Sequence, residues 1–259
     1  MTIRIPGPST LVTAALAAVL SACGTPSASS TGSPPVTASQ PAAGPALIYA
    51  AVGASETVGT GSEQGVRQAW PQLVYNDVLP RSALYYNFGI PGATTAEAVQ
   101  TELPQALAVH PTLVTVWLNV NDLLAGVTPQ SYEGQLRSLV HALRQRGAAR
   151  VLIANTPALD RLPAVRACLS GTLPATSPCP TGVATPTIDQ LNAQVDRYNA
   201  AISRVAAGEG AVLVDLHAQG EVADSHPDWV SADGFHPSEL GYAAIAGAFE
   251  AVLRKGTPA

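Results

Sequence analysis

Four short segments of the 259-residue chain carry side chains that could do chemistry. GASETVG (53–59) offers a hydroxyl on Ser55, and GIPGATT (89–95) offers a flexible backbone beginning at Gly89. NVNDL (119–123) offers a side-chain amide on Asn121, and DGFHPS (233–238) a carboxylate and an imidazole, Asp233 and His236. These are the parts of an acyl-transfer site. A serine hydroxyl is a weak nucleophile until an adjacent imidazole takes its proton, and the imidazole works better when a carboxylate fixes its tautomer and stabilises the imidazolium. Negative charge developing on the attacked carbonyl oxygen needs preorganised donors, and losing one costs about 2.7 to 4 kcal/mol. The reading is Ser55 as nucleophile, His236 as base and Asp233 as its orienting carboxylate. The N–H groups of Ser55 and Gly89 with the Asn121 amide would form the oxyanion hole.

Each residue alone has an ordinary explanation. Serines cap helices after small-residue turns, glycines serve tight backbone geometry, and asparagines sit at turns. His236 precedes Pro237, which pushes it toward extended backbone at a helix entry. It is their joint placement, each at the end of its own strand or in the final loop, that points to a site.

The elements that must hold these residues can be read from the pattern. Five short apolar runs, ALIYAAV (46–52), LYYNF (84–88), LVTVWL (113–118), VLIAN (151–155) and AVLVDL (211–216), are mostly continuous, as strands covered on both faces are. Helical patterns separate them. Thr94 with Glu97 makes a capping box ahead of Val99, Leu103 and Leu107, with Pro104 a place for a kink or restart. Thr128 and Pro129 start a helix whose Tyr132, Leu136, Leu139, Val140 and Leu143 share one face. A last helix after Pro237 places Tyr242, Ile245, Phe249 and Val252 inward. Alternating strands and helices predict a five-stranded parallel sheet between two helical layers, with ligands bound beyond the carboxyl ends of the strands. Residues 157–186 break the rhythm as a long irregular insertion.

The ends of the chain read differently. Arg4 and the apolar run 11–20 form an export signal too short to span a bilayer, and its end, LSAC (20–23), resembles a bacterial lipobox. The expectation is a signal peptide over 1–22, lipid attachment at Cys23, a Ser/Thr/Pro-rich tether over 23–45 and one domain over 46–254. The product would stand on the extracellular face of the bacterial cell membrane. Export meets oxidising conditions, so Cys168 and Cys179 are expected to form a disulfide. The net charge of −5, with Lys255 the one lysine, leaves no footprint for nucleic acid.

In this order, the four segments resemble the SGNH (GDSL-type) serine hydrolases, named for their serine, glycine, asparagine and histidine blocks, over about 48–253. The resemblance implies a three-layer α/β/α flavodoxin-like sandwich and an esterase in which Ser55, Asp233 and His236 are catalytic and Ser55, Gly89 and Asn121 bind the oxyanion. Two blocks depart from the family pattern: Ala54 and Glu56 flank the serine where the family has Asp and Leu, and Asn119 stands where it has Gly.

Three rivals weigh less. A dinucleotide loop would need a glycine where Ser55 stands. His226, Asp228, Asp233 and His236 include metal-ligand types, but Pro227 and Pro237 constrain the single stretch that holds them, so neither metal nor organic cofactor is expected. The third is a surface lipoprotein that uses the hydrolase scaffold to bind glycan or lipid with little turnover, against which the intact Ser55, Asp233 and His236 argue. Asp215 is expected to brace a strand end, with His217 solvated.

Overall fold

The computed structural model describes residues 47–172, 186–220 and 225–255. Every apolar run becomes a strand: β1 Ile48–Gly53, β2 Leu84–Asn87, β3 Leu113–Trp117, β4 Arg150–Ala154 and β5 Val212–Val214. They form one parallel sheet in the order β2-β1-β3-β4-β5. This is the doubly wound order in which the crossovers leave β1 in opposite directions, opening a crevice beyond the carboxyl ends of β1 and β3.

Successive side chains of a strand point to opposite faces, and the sheet accordingly builds two cores. Ala50, Val52, Val114, Val116, Val151 and Ile153 face one way. They meet α2 (Thr95–Ala108), α4 (Pro129–Leu143) and α6 (Ile188–Glu209). Tyr49, Ala51, Leu113, Leu152 and Ala154 face the other way, against α1 (Trp70–Val78) and the last helix, α7 (Glu239–Lys255). There the Trp70 ring stacks on Phe249 with centroids 4.1 Å apart. The central strand β3 is buried along its whole length, whereas the edge strand β2 exposes Leu84 and Tyr86, so double coverage holds for the middle of the sheet and not for its rim.

The helix starts follow the sequence. Thr94 and Glu97 form the capping box of α2, and the Thr128 hydroxyl accepts from Ser131 N–H ahead of Pro129. The expected stripe of α4 is buried residue for residue. In α2 the inward line is instead Thr95, Ala98, Glu102 and Ala106, with Val99 and Leu103 packed at its flank. Two alanines allow close approach to the sheet, and the chain runs through Pro104 as one helix. Within the insertion, where the sequence suggests irregular chain, Pro163–Ser170 forms a helix, α5, started by Pro163 and ended by Gly171 at φ 67°. Between β3 and α4, Val120–Leu124 makes a short helix, α3. The export signal, the tether with Cys23, and Cys179 lie outside the described residues.

Glu102 is the unexpected member of the core. It is fully buried, and its Oε2 accepts the Gly53 N–H at 2.8 Å, tying α2 to the end of β1. Burial pushes its pKa up to about 8, against the lowering effect of the Gly53 hydrogen bond. The folded chain therefore keeps a proton that the unfolded chain releases, and between about 4.5 and about 8 rising pH removes stability, by at most about 1.4 kcal/mol per pH unit. Glu102→Gln keeps an oxygen to accept from Gly53 and has no proton to lose. Its melting temperature relative to the parent is expected to climb from pH 5 to pH 8. Parallel pH dependence in both proteins would contradict a protonated, buried Glu102.

Candidate active site

Ser55 lies one residue beyond β1, after Ala54, at the head of a 3-10 turn over Ser55–Val58, and is 8% exposed. Hydrogen bonds from Thr57 N to Ala54 O (3.1 Å) and from Thr60 N to Ser55 O (3.0 Å) shape the turn. The Asn87 amide at the end of β2 donates to Thr57 O at 2.7 Å, and Glu102 holds Gly53 from below. The Ser55 hydroxyl donates to Glu56 Oε2 at 3.2 Å.

Asp233 and His236 lie in the loop between the 3-10 turn Pro227–Trp229 and α7. Val230 and Pro237 bridge as a two-residue antiparallel pair, and Ser231 N–H donates to His236 O at 2.8 Å, closing the loop on itself. Inside it, Asp233 Oδ1 accepts from Ser231 Oγ (2.8 Å), Phe235 N (2.8 Å) and His236 N (2.9 Å), while Oδ2 stands 2.7 Å from His236 Nδ1. Partial burial pushes the Asp233 pKa up, but the bonds from the His236 ring, the two backbone N–H groups and Ser231 outweigh it and hold the carboxyl at about 2. With Nδ1 facing a carboxylate, Nε2 is the ring nitrogen left to take a proton.

Contacts between loops bring the two halves together. Gly61, at φ 97°, packs so closely on His236 that a side-chain Cβ there would lie 2.7 Å from the His236 Cβ, so both the backbone and the space require glycine. The Tyr242 hydroxyl donates to Thr60 O at 2.6 Å, and Glu239 Oε1 accepts from Ser62 Oγ (2.9 Å) and Glu63 N (2.8 Å). The loop that follows Ser55 is thus seated on the segment that carries His236.

The glycine block needs a correction. The Gly89 N–H donates to Asn87 Oδ1 at 3.0 Å, so it is not a free donor facing a ligand. Immediately after Gly89 the chain turns: Ala93 N–H donates to Ile90 O at 3.0 Å, with Pro91 second and Gly92, at φ 81°, third, the signature of a type II turn. The Gly92 N–H has no acceptor among the described residues, and Asn121 Nδ2 donates to the neighbouring Ala93 O at 3.0 Å. Asn121, on α3, therefore stands beside Gly92 with a second amide hydrogen unused.

Asp122, the next residue, is fully buried and accepts from Thr95 N (2.9 and 3.1 Å) and Thr95 Oγ1 (3.0 Å), clamping α3 to the first turn of α2. Burial raises its pKa despite these bonds. Asn119, at φ −169°, is outside the left-handed region that favours glycine, and its Nδ2 donates to Ala154 O at 3.4 Å. Ala54 is buried in the core and gives the serine turn no side-chain cap. Asp215 does brace its strand end, accepting from Asn155 Nδ2 (2.7 Å) and Ala218 N (3.1 Å), whereas His217 is half-buried and bonded to Thr156 O at 3.1 Å rather than solvated. Among the described residues no three His, Cys, Asp or Glu side chains gather as metal ligands. A cleft of about 140 Å³ is walled by Glu56, which follows Ser55, by Phe235 and Pro237, which flank His236, and by Trp117 and Leu159; Ser55 and His236 border it through these neighbours and are not themselves in its lining.

A serine turn, an Asp–His couple and an amide-bearing loop at the carboxyl end of a doubly wound sheet are the layout that the sequence reading expects of a serine acyl hydrolase. Residues 51–244 match the GDSL-like lipase/acylhydrolase family, and the chain belongs to that family and so to the serine hydrolases of ester bonds. The fold is similar to that of a lipase/acylhydrolase from Enterococcus faecalis, at 20% identity over 81% of this chain and 96% of that one, with a TM-score of 0.62. It is similar too to the psychrotrophic esterase EstA from Pseudoalteromonas sp., at 17% identity over 80% and 97% of the two chains, TM-score 0.57. An extracellular lipase from Streptomyces rimosus superposes at TM-score 0.54, with 17% identity over 82% and 100%. Among curated proteins, none matches the sequence.

The clamp of Asp122 on Thr95 has a measurable weight. Asp122→Ala strands a buried N–H and hydroxyl, and urea unfolding is expected to show a loss of about 1–3 kcal/mol. An unchanged midpoint would mean that the Thr95 groups find other acceptors.

Proposed function

We propose that the chain is an exported serine esterase that works through an acyl-enzyme. The Ser55 hydroxyl turns from Glu56 to His236, and Oγ attacks the ester carbonyl carbon as Nε2 takes the proton. Asp233, at about 2, stays ionised through the working range and stabilises the imidazolium. The oxyanion is met by the Ser55 N–H, the Gly92 N–H in place of Gly89, and the second hydrogen of the Asn121 amide. His236 then protonates the departing alcohol, and a water activated by the same ring releases the acid. The observation that carries this reading is the 2.7 Å Asp233–His236 couple in a segment that packs, through Gly61, on the turn after Ser55.

The small cleft beside Ser55 favours short acyl or alcohol arms. Lipid attachment at Cys23 with residence on the extracellular face of the membrane, and a Cys168–Cys179 disulfide closing the insertion, complete the proposal; the LSAC motif and the tether composition support it.

Hydrolysis of p-nitrophenyl esters from acetyl to palmitoyl, by the full-length protein and its Ser55→Ala variant, tests the reading. Turnover is expected to be best on short acyl chains, with a loss in the variant of roughly 10⁴-fold or more. Equal inertness of both proteins on every ester would replace the esterase by a ligand-binding lipoprotein.

A further inference from the structure

The cleft that Glu56 lines is mostly aromatic and aliphatic, with Glu56, Arg161 and Gln219 its polar side chains. Trp117, Trp229 and Phe235 supply three ring systems to the lining, and Leu159 and Leu216 add aliphatic surface. Glu56 is the acid in the lining, and its Oε2 lies 3.2 Å from the nucleophilic oxygen. The Glu56 carboxylate has no basic partner among the described residues. Arg161 also lines the cleft, but its Nε has the Asp160 carboxylate 3.5 Å away, which offsets its charge. Among the described residues the charges at the cleft are those of Glu56, Arg161 and the Asp160 paired with it, which leave the Glu56 carboxylate unbalanced beside the π faces that meet an entering arm of the ester. A carboxylate close to the reacting carbon repels an anionic arm and attracts a cationic one, and aromatic faces attract cations further.

Resting on the esterase reading, we propose that Glu56 determines specificity by charge. It selects esters whose cleft-bound arm is cationic, over neutral isosteres and most strongly over anionic ones. Because Glu56 is half-buried, water and salt screen its field, and each step of charge is expected to change kcat/KM by about 10-fold.

The test compares ratios within one protein, so the folded fraction cancels. Full-length protein and its Glu56→Gln and Glu56→Leu variants are assayed on two pairs of esters matched in chain length and differing in charge. One pair carries charge on the alcohol: acetylcholine and its carbon analogue, in which a tert-butyl group replaces trimethylammonium. The other carries it on the acyl group: p-nitrophenyl pentanoate and mono-p-nitrophenyl glutarate. In the parent, acetylcholine is expected to exceed its analogue or pentanoate to exceed glutarate by about 10-fold, whichever arm the cleft holds, with the preference shrinking toward one in both variants and at high salt. A preference that survives both substitutions, or no preference in the parent, overturns the role of Glu56 while leaving the esterase intact. No hydrolysis of any of the four esters overturns the esterase reading, and the proposal falls with it.

Discussion

The site depends on the docking of two loops far apart in the chain. The turn that follows β1 carries Ser55, and the loop before α7 carries Asp233 and His236. Nothing in the sheet itself forces them together. What does is a seam of contacts over Thr60 to Glu63: Gly61 flat against His236, the Tyr242 hydroxyl on Thr60 O, and Glu239 on Ser62 and Glu63. A side chain at position 61 would wedge the seam open. Tyr242 anchors it from the core, since the residue is fully buried in the layer shared by α1 and α7.

Beneath the seam, two buried carboxyl groups fix α2, and α2 in turn fixes the loops at the strand ends. Asp122 holds the first turn of α2 through Thr95, and Glu102 holds the end of β1 through Gly53. Buried acids are costly unless hydrogen-bonded or neutral, and here each is raised in pKa while accepting backbone N–H groups at strand and helix ends. Asn87 adds the third brace, joining the end of β2 to the serine turn through Thr57 O and to Gly89 N. The rigidity of the serine turn thus comes from polar groups placed under it, in a region where the sheet's apolar packing has ended.

Much of this was legible in the sequence because it follows from strong local rules. Continuous apolar runs gave all five strands, and the caps at Thr94 and Thr128 marked two helix starts. The Asp233-x-x-His236 spacing could be read as a hydrogen-bonded couple since the residues are neighbours in one loop. Glu102 was hidden because an acid in the inward phase of a helix looks like a break in the apolar stripe, although its spacing from Ala98 and Ala106 was there to be counted. Gly89 drew the oxyanion role because it stands at the strand end, yet the amide that stays free is set by turn geometry, and the Pro91-Gly92 pair was the signal for it. Gly61 and Glu239 act through tertiary contacts that no local pattern encodes.

The central claim is that Ser55 is the one hydroxyl activated by His236, and covalent trapping tests it most directly. The full-length protein is treated with a fluorophosphonate, digested, and the modified residue located by mass spectrometry. The account expects one adduct, on Ser55, formed rapidly in the parent and lost in His236→Ala. An unlabelled protein, label on another serine, or equal labelling in the His236 variant would contradict it.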